Sequence, residues 1–166
     1  MLEMSGLVSE TVLNVGVISF GLSGRIFHAP FLLTNPKFKM VAVYERTKAE
    51  SQDFATKHGI AVEVVRSVDE LVNRTDLHLI VVCSPIEFHF EHAKVALLAG
   101  KHVLVEKAFT STSQQAKELF EIAAERELVC APYQNRRFDS DFLTLQRVVG
   151  KLGRIAEYNG IYNRYT

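Results

Sequence analysis

Leu13-Asn-Val-Gly-Val-Ile-Ser-Phe-Gly-Leu-Ser-Gly24 is the stretch on which the fold turns. Leu13 to Ile18 is a short run rich in β-branched residues, which predicts a buried strand. The small residues after it predict a tight turn, and the chain from Arg25 reads as helix. The spacing is G-x-G-x-x-G with Ser19 in place of the first glycine. In the full pattern the first glycine makes the turn, the second lets backbone approach a pyrophosphate, and the third lets the helix pack on the strand. Gly21 and Gly24 keep the last two roles. A positive φ at Ser19 would cost a residue with a Cβ roughly 1–2 kcal/mol, which a folded domain tolerates. Ser19, Phe20, Gly21, Leu22, Ser23 and Gly24 are therefore the candidate phosphate cradle, where free helix amides and the helix dipole attract an anion.

Moving outward, Glu45 ends the next apolar run about twenty residues beyond Gly24, where an acid can accept from a ribose 2′-hydroxyl. A carboxylate there repels a 2′-phosphate and favours NAD. Arg46 beside it offers that phosphate a partner, so the expected cofactor is NAD or NADP, with NAD favoured. Further apolar runs, Met40 to Tyr44, Leu79 to Cys83, Val103 to Val105 and Leu128 to Ala131, alternate with helix-like stretches. Such runs suit a parallel sheet covered on both faces, and the alternating order predicts an α/β, doubly wound, mostly parallel sheet of the Rossmann kind. Thr47 before Glu50, Ser67 before Glu70 and Thr112 before Gln115 have the spacing of capping boxes. Gly59 and Gly100 stand where helices end.

Two further motifs fall at strand ends. Ser84-Pro85-Ile-Glu-Phe-His89 follows one predicted strand and Glu106-Lys107 the next, so both should lie at the carboxyl edge of the sheet, where such folds bind ligands. A lysine there could hold or release the proton of an alcohol that loses a hydride. By itself, an isolated lysine is more often a solvated surface group.

Charge and composition narrow the function. The 166 residues carry 19 basic and 19 acidic side chains, interspersed, so no basic face is present to draw nucleic acid or an anionic membrane. No segment approaches the roughly 18 apolar residues of a membrane span, and Met1 to Glu10 lacks a signal-peptide core. Cys83 and Cys130 lack metal-ligand spacing and read as buried thiols of a reducing compartment, so no metal site and a cytoplasmic location are expected. After Pro132 the pattern changes to a polar, arginine-bearing stretch, a helix over Phe142 to Val149 and an alternating run, Ile155 to Tyr165, that predicts one strand. This divides the chain into a dinucleotide-binding domain over 11–132 and, over 133–166, the start of a second, α+β domain that is cut short. The last strand would have an open edge through which two copies could pair.

Taken together these motifs resemble the glucose-fructose oxidoreductase and inositol dehydrogenase family (Gfo/Idh/MocA). The resemblance runs through the glycine turn with Phe27-His28-Ala29-Pro30, Glu45, Ser84-Pro85 with His89, Ala99-Gly100-Lys101-His102-Val103, Glu106-Lys107 and Gln134-Asn135-Arg136-Arg137-Phe138. It implies that Lys107 is the catalytic lysine, with Glu106 near the nicotinamide ribose. Ser84, Pro85 and His89 would wall the cofactor, and Asn135 and Arg137 would lie on the segment leading to the active site. The implied reaction is hydride transfer between a nicotinamide and a hydroxyl or carbonyl of a sugar, inositol or similar polyol. Ser19 and Ala108, which stands where the family has proline, depart from the pattern. A diverged, non-catalytic NAD(P)-binding or interaction protein is the alternative.

Overall fold

The computed structural model describes residues 11–161 and residue 163. These divide into two compact units, one ending at Tyr133 and the other beginning at Gln134.

The first unit is a six-stranded, all-parallel sheet. Its strands are β1 (Leu13–Ile18), β2 (Phe38–Tyr44), β3 (Glu63–Val65), β4 (Leu79–Val82), β5 (His102–Val105) and β6 (Cys130–Pro132). They lie in the order β3-β2-β1-β4-β5-β6. The chain winds outward from β1 to one edge and then returns to build the other half from β4. That reversal opens a crevice between β1 and β4 beyond their carboxyl ends.

The helices cover both faces. A π turn (Gly24–His28) leads into α1 (Ala29–Thr34), followed by α2 (Glu50–His58), α3 (Val68–Val72), α4 (His89–Leu98) and α5 (Ser113–Glu125). Alternate side chains of each strand go to opposite faces. Val15, Val17, Val43 and Val81 pack with Ala29 of α1 on one face. Ile18, Ala42, Ile80 and Val82 pack with Leu71, Ala93, Leu97 and Leu119 on the other. The central strands are thus apolar on both sides, as their sequences predict.

Local chemistry sets the helix ends. Ser67 accepts from the Glu70 amide at 3.0 Å and Thr112 from the Gln115 amide at 3.2 Å. Gly59 and Gly100 take the left-handed conformation after α2 and α4. The expectation at Thr47 is corrected: α2 begins at Glu50, three residues beyond Thr47, and the carboxylate of Glu45 serves its first amides instead.

In the second unit a short 3-10 turn (Asn135–Phe138) precedes α6 (Ser140–Val148) and the turn Val149–Lys151. The predicted strand over Ile155 to Tyr165 does not form among the described residues. Ile155 to Ile161 is irregular and exposed, with Ile155, Tyr158 and Ile161 at 52%, 73% and 78%. Among the described residues no neighbouring strand supplies the ladder that holds an alternating sequence extended. Residues 162, 164 and 165 of that run lie outside the described residues.

Candidate functional site

Strand register brings the site together. Ile18 lies level with Tyr44 of β2 and with Val82 of β4, and Val82 lies level with Val105 of β5. The residues that follow these four strands, Ser19, Glu45, Cys83-Ser84 and Glu106, therefore emerge along one edge. A cleft of about 500 Å³ opens there, lined by Ser19, Phe20 and Gly21, by residues 44–48 and Glu50, and by Ser84, Pro85, Phe88 and His92. A larger depression, about 640 Å³, lies elsewhere, between Lys39 and Glu63. None of the strand-end motifs reaches it.

Ser19 has φ 75°, so the turn does adopt the left-handed conformation that glycine usually supplies. Its amide donates to the Tyr44 carbonyl at 3.0 Å, which holds the turn against β2. Gly24 is required for another reason: a Cβ there would lie 2.8 Å from the Ser19 carbonyl oxygen. At Gly21 a Cβ would meet nothing within 4 Å, so the backbone faces open cleft. The amides of Phe20 and Gly21 make no backbone hydrogen bond among the described residues. The turn thus fits a pyrophosphate.

Glu45 is buried, and its carboxylate is engaged. Oε1 accepts from the Glu50 amide at 3.0 Å, and Oε2 accepts from the Ser51 amide at 3.1 Å and from the Ser51 hydroxyl. Arg66 Nη1 donates to the carbonyls of Glu45 (2.8 Å) and Lys48 (2.6 Å), clamping the loop between them. Arg46, Thr47 and Lys48 are left on the exposed rim.

Glu106 joins three elements. Its Oε1 accepts from Ser23 Oγ at 2.7 Å and His28 Nε2 at 2.8 Å, and its Oε2 from the Lys107 amide at 3.0 Å. Burial opposes ionisation of Glu106, but the hydrogen bonds from Ser23, His28 and Lys107 outweigh it and hold the carboxyl below its ordinary range. Burial also pushes His28 down, against the pull of Glu106. The pair is therefore a neutral imidazole donating to a carboxylate, with the ring of Tyr133 4.3 Å from that of His28. Lys107 itself is exposed, and its amine makes no hydrogen bond or ion pair among the described residues. The Lys107-Ala108 peptide bond is cis.

On the β4 side, Ser84 Oγ lies 2.9 Å from His92 Nδ1, and the ring of His92 stacks on Phe88. Burial, then the neighbouring His89, lowers the pKa of His92. His89 is buried behind the wall rather than on it. Its two ring nitrogens each lie 2.7 Å from a carbonyl oxygen, of Ser84 and of Ala108, so it ties the two strand-end motifs together. Asn135 and Arg137 belong to the second unit, on its 3-10 turn. Reading the sequence missed His28, Phe88 and His92. The spacing of Phe88 and His92, four apart across the 3-10 turn Ile86–Phe88 and the first turn of α4, was the available signal for the latter two. Among the described residues no three potential ligands cluster to hold a metal, and no helix is long and apolar enough to cross a membrane.

Residues 13–134 match the model of the oxidoreductase family with the NAD-binding Rossmann fold. The chain is 43% identical over 156 residues to the uncharacterized oxidoreductase YhhX of Escherichia coli, covering 93% of this chain and 45% of that protein. It is 35% identical over 165 residues to the scyllo-inositol 2-dehydrogenase (NADP(+)) IolW of Bacillus subtilis, covering 98% and 45%. The crystal structure of scyllo-inositol dehydrogenase from Lactobacillus casei with bound NAD(H) and scyllo-inositol superposes with a TM-score of 0.77 at 27% identity, over 86% of this chain and 43% of that one. The chain thus spans less than half the length of these relatives.

Proposed function

Since the chain belongs to the oxidoreductase family with the NAD-binding Rossmann fold, we propose that its cleft takes NAD or NADP for hydride transfer with a sugar, inositol or related polyol. The observation that carries this reading is the single sheet edge shared by the open turn at Gly21, the loop after β2 and Glu106-Lys107. The names of the Bacillus subtilis and Lactobacillus casei relatives support the polyol class.

In this reading Ser19 to Gly24 bind the pyrophosphate through backbone amides, and residues 45–48 meet the adenosine ribose. Ser84 and Pro85 flank the cofactor, with His89 fixing that wall from behind. When bound, the nicotinamide supplies the carbon that gives or takes the hydride. Lys107 holds or receives the proton of the substrate hydroxyl, and Glu106 fixes the backbone on which Lys107 stands. In the same reading the chain comprises a cofactor domain over 11–132 and substrate-domain residues over 133–166.

Fluorescence titration with NADH and with NADPH tests the reading. We expect saturable binding that is lost in Gly21→Val, whose side chain would occupy the open backbone while meeting no protein atom at its Cβ within 4 Å. No saturable signal with either nucleotide would overturn it. Any turnover with inositols or sugars should disappear in Lys107→Ala while binding persists.

A further inference from the structure

We propose that the cleft selects the dinucleotide bearing a 2′-phosphate, NADPH over NADH, through Arg46 and Lys48, because the carboxylate of Glu45 is committed to the start of α2. The inference rests on the cofactor reading above and deepens it.

An acid that reads a ribose 2′-hydroxyl needs an accessible oxygen to accept with. Glu45 is 6% exposed, and both its oxygens already accept, from two backbone amides and the Ser51 hydroxyl. Turning it toward a ribose would strip the Glu50 and Ser51 amides at the start of α2 of their acceptor. Its negative charge is met by these donors, so the repulsion that a free carboxylate directs at a phosphate is muted.

The rim beside it has the opposite character. Arg46 lines the cleft, is exposed and has no ion-pair partner among the described residues. A guanidinium in that state offers a planar fork that matches phosphate oxygens. Lys48 lines the same cleft with its side chain 74% exposed, and its one partner, Glu50, is also shared with Arg25 at 3.6 Å. Exposed pairs of this kind are weak, so a dianion can draw the ammonium away. The Arg66 clamp on the Glu45 and Lys48 carbonyls holds the loop that presents both cations. Of the cations and carboxylates lining the cleft, Arg46 and Lys48 are exposed, whereas Glu45 is buried and Glu50 already faces Arg25 and Lys48.

The test is parallel titration of the full chain with NADPH and NADH, in the wild type and in Arg46→Ala, at low and raised salt. We expect NADPH to bind about tenfold or more tightly than NADH, equivalent to one well-placed charged contact. The advantage should shrink toward unity in Arg46→Ala and with salt, and Arg46→Lys should restore part of it. NADH binding as tightly as NADPH, or Arg46→Ala leaving the ratio unchanged, would overturn the inference while leaving the cofactor reading standing. Failure of both nucleotides to bind would overturn both.

Discussion

A neutral histidine against a carboxylate in the interior makes the fold sensitive to acid. His28 and Glu106 are both held below their ordinary pKa values, His28 chiefly by burial. For each, the unfolded chain binds more protons than the folded one as pH falls, so stability drops with acidification. The loss begins below the ordinary histidine value of 6.5 as the unfolded state takes up its proton, and deepens until folded His28 also protonates. Glu106 adds a second loss further down, as pH falls through its depressed folded pKa. Denaturant midpoints measured from about pH 8 to about pH 5 should fall in the wild type. His28→Gln, which keeps a donor for Glu106 without a titrating ring, should give a shallower slope. The candidate residues of the glycine turn and Lys107 were legible because each sits in a local motif. His28 was not, since its partner lies 78 residues away and only the register of β1, β4 and β5 joins them.

Among the elements, α2 shows why a capping pattern can mislead. The Thr47-to-Glu50 spacing suits a capping box, yet the buried carboxylate of Glu45 takes the first amides and Thr47 remains on the rim. Glu45→Ala should cost about 1–2 kcal/mol, as for loss of a strong cap, and Thr47→Ala less than about 0.5 kcal/mol. Thermal or denaturant unfolding of the two variants would distinguish them, and equal losses would restore Thr47 as the cap. Strands β1, β2, β4 and β5 were readable because burial on both faces demands continuous apolar sequence. The three-residue edge strand β3, with exposed Glu63, leaves no such trace. Leu128 was misplaced for a similar reason. Its apolar character suggests a strand, but its amide closes α5 on the Ala123 carbonyl at 2.8 Å, with Glu127 left-handed before it. Over Ile155 to Ile161 the alternation is not drawn into a strand, since a period of two describes a side-chain pattern and does not supply a partner strand.

At the scale of the whole molecule, the doubly wound order follows from alternating strand and helix signals, whereas the cleft required the sheet to be assembled. Both apolar clusters and every cleft-lining residue lie before Gln134, so the first unit carries the candidate cofactor site complete as far as its own residues go. Within it, Cys83 ends the run from β4 beneath the crevice, 8% exposed, with burial pushing its thiol up to about 12. So little of it is thiolate at neutral pH that alkylation must wait for the sheet to open. Cys83 is thus a built-in stopwatch for breathing at the switch point. A disulfide reagent such as dithionitrobenzoate should colour it slowly, at a rate governed by opening rather than by reagent concentration, and a nucleotide seated above it should slow the clock further.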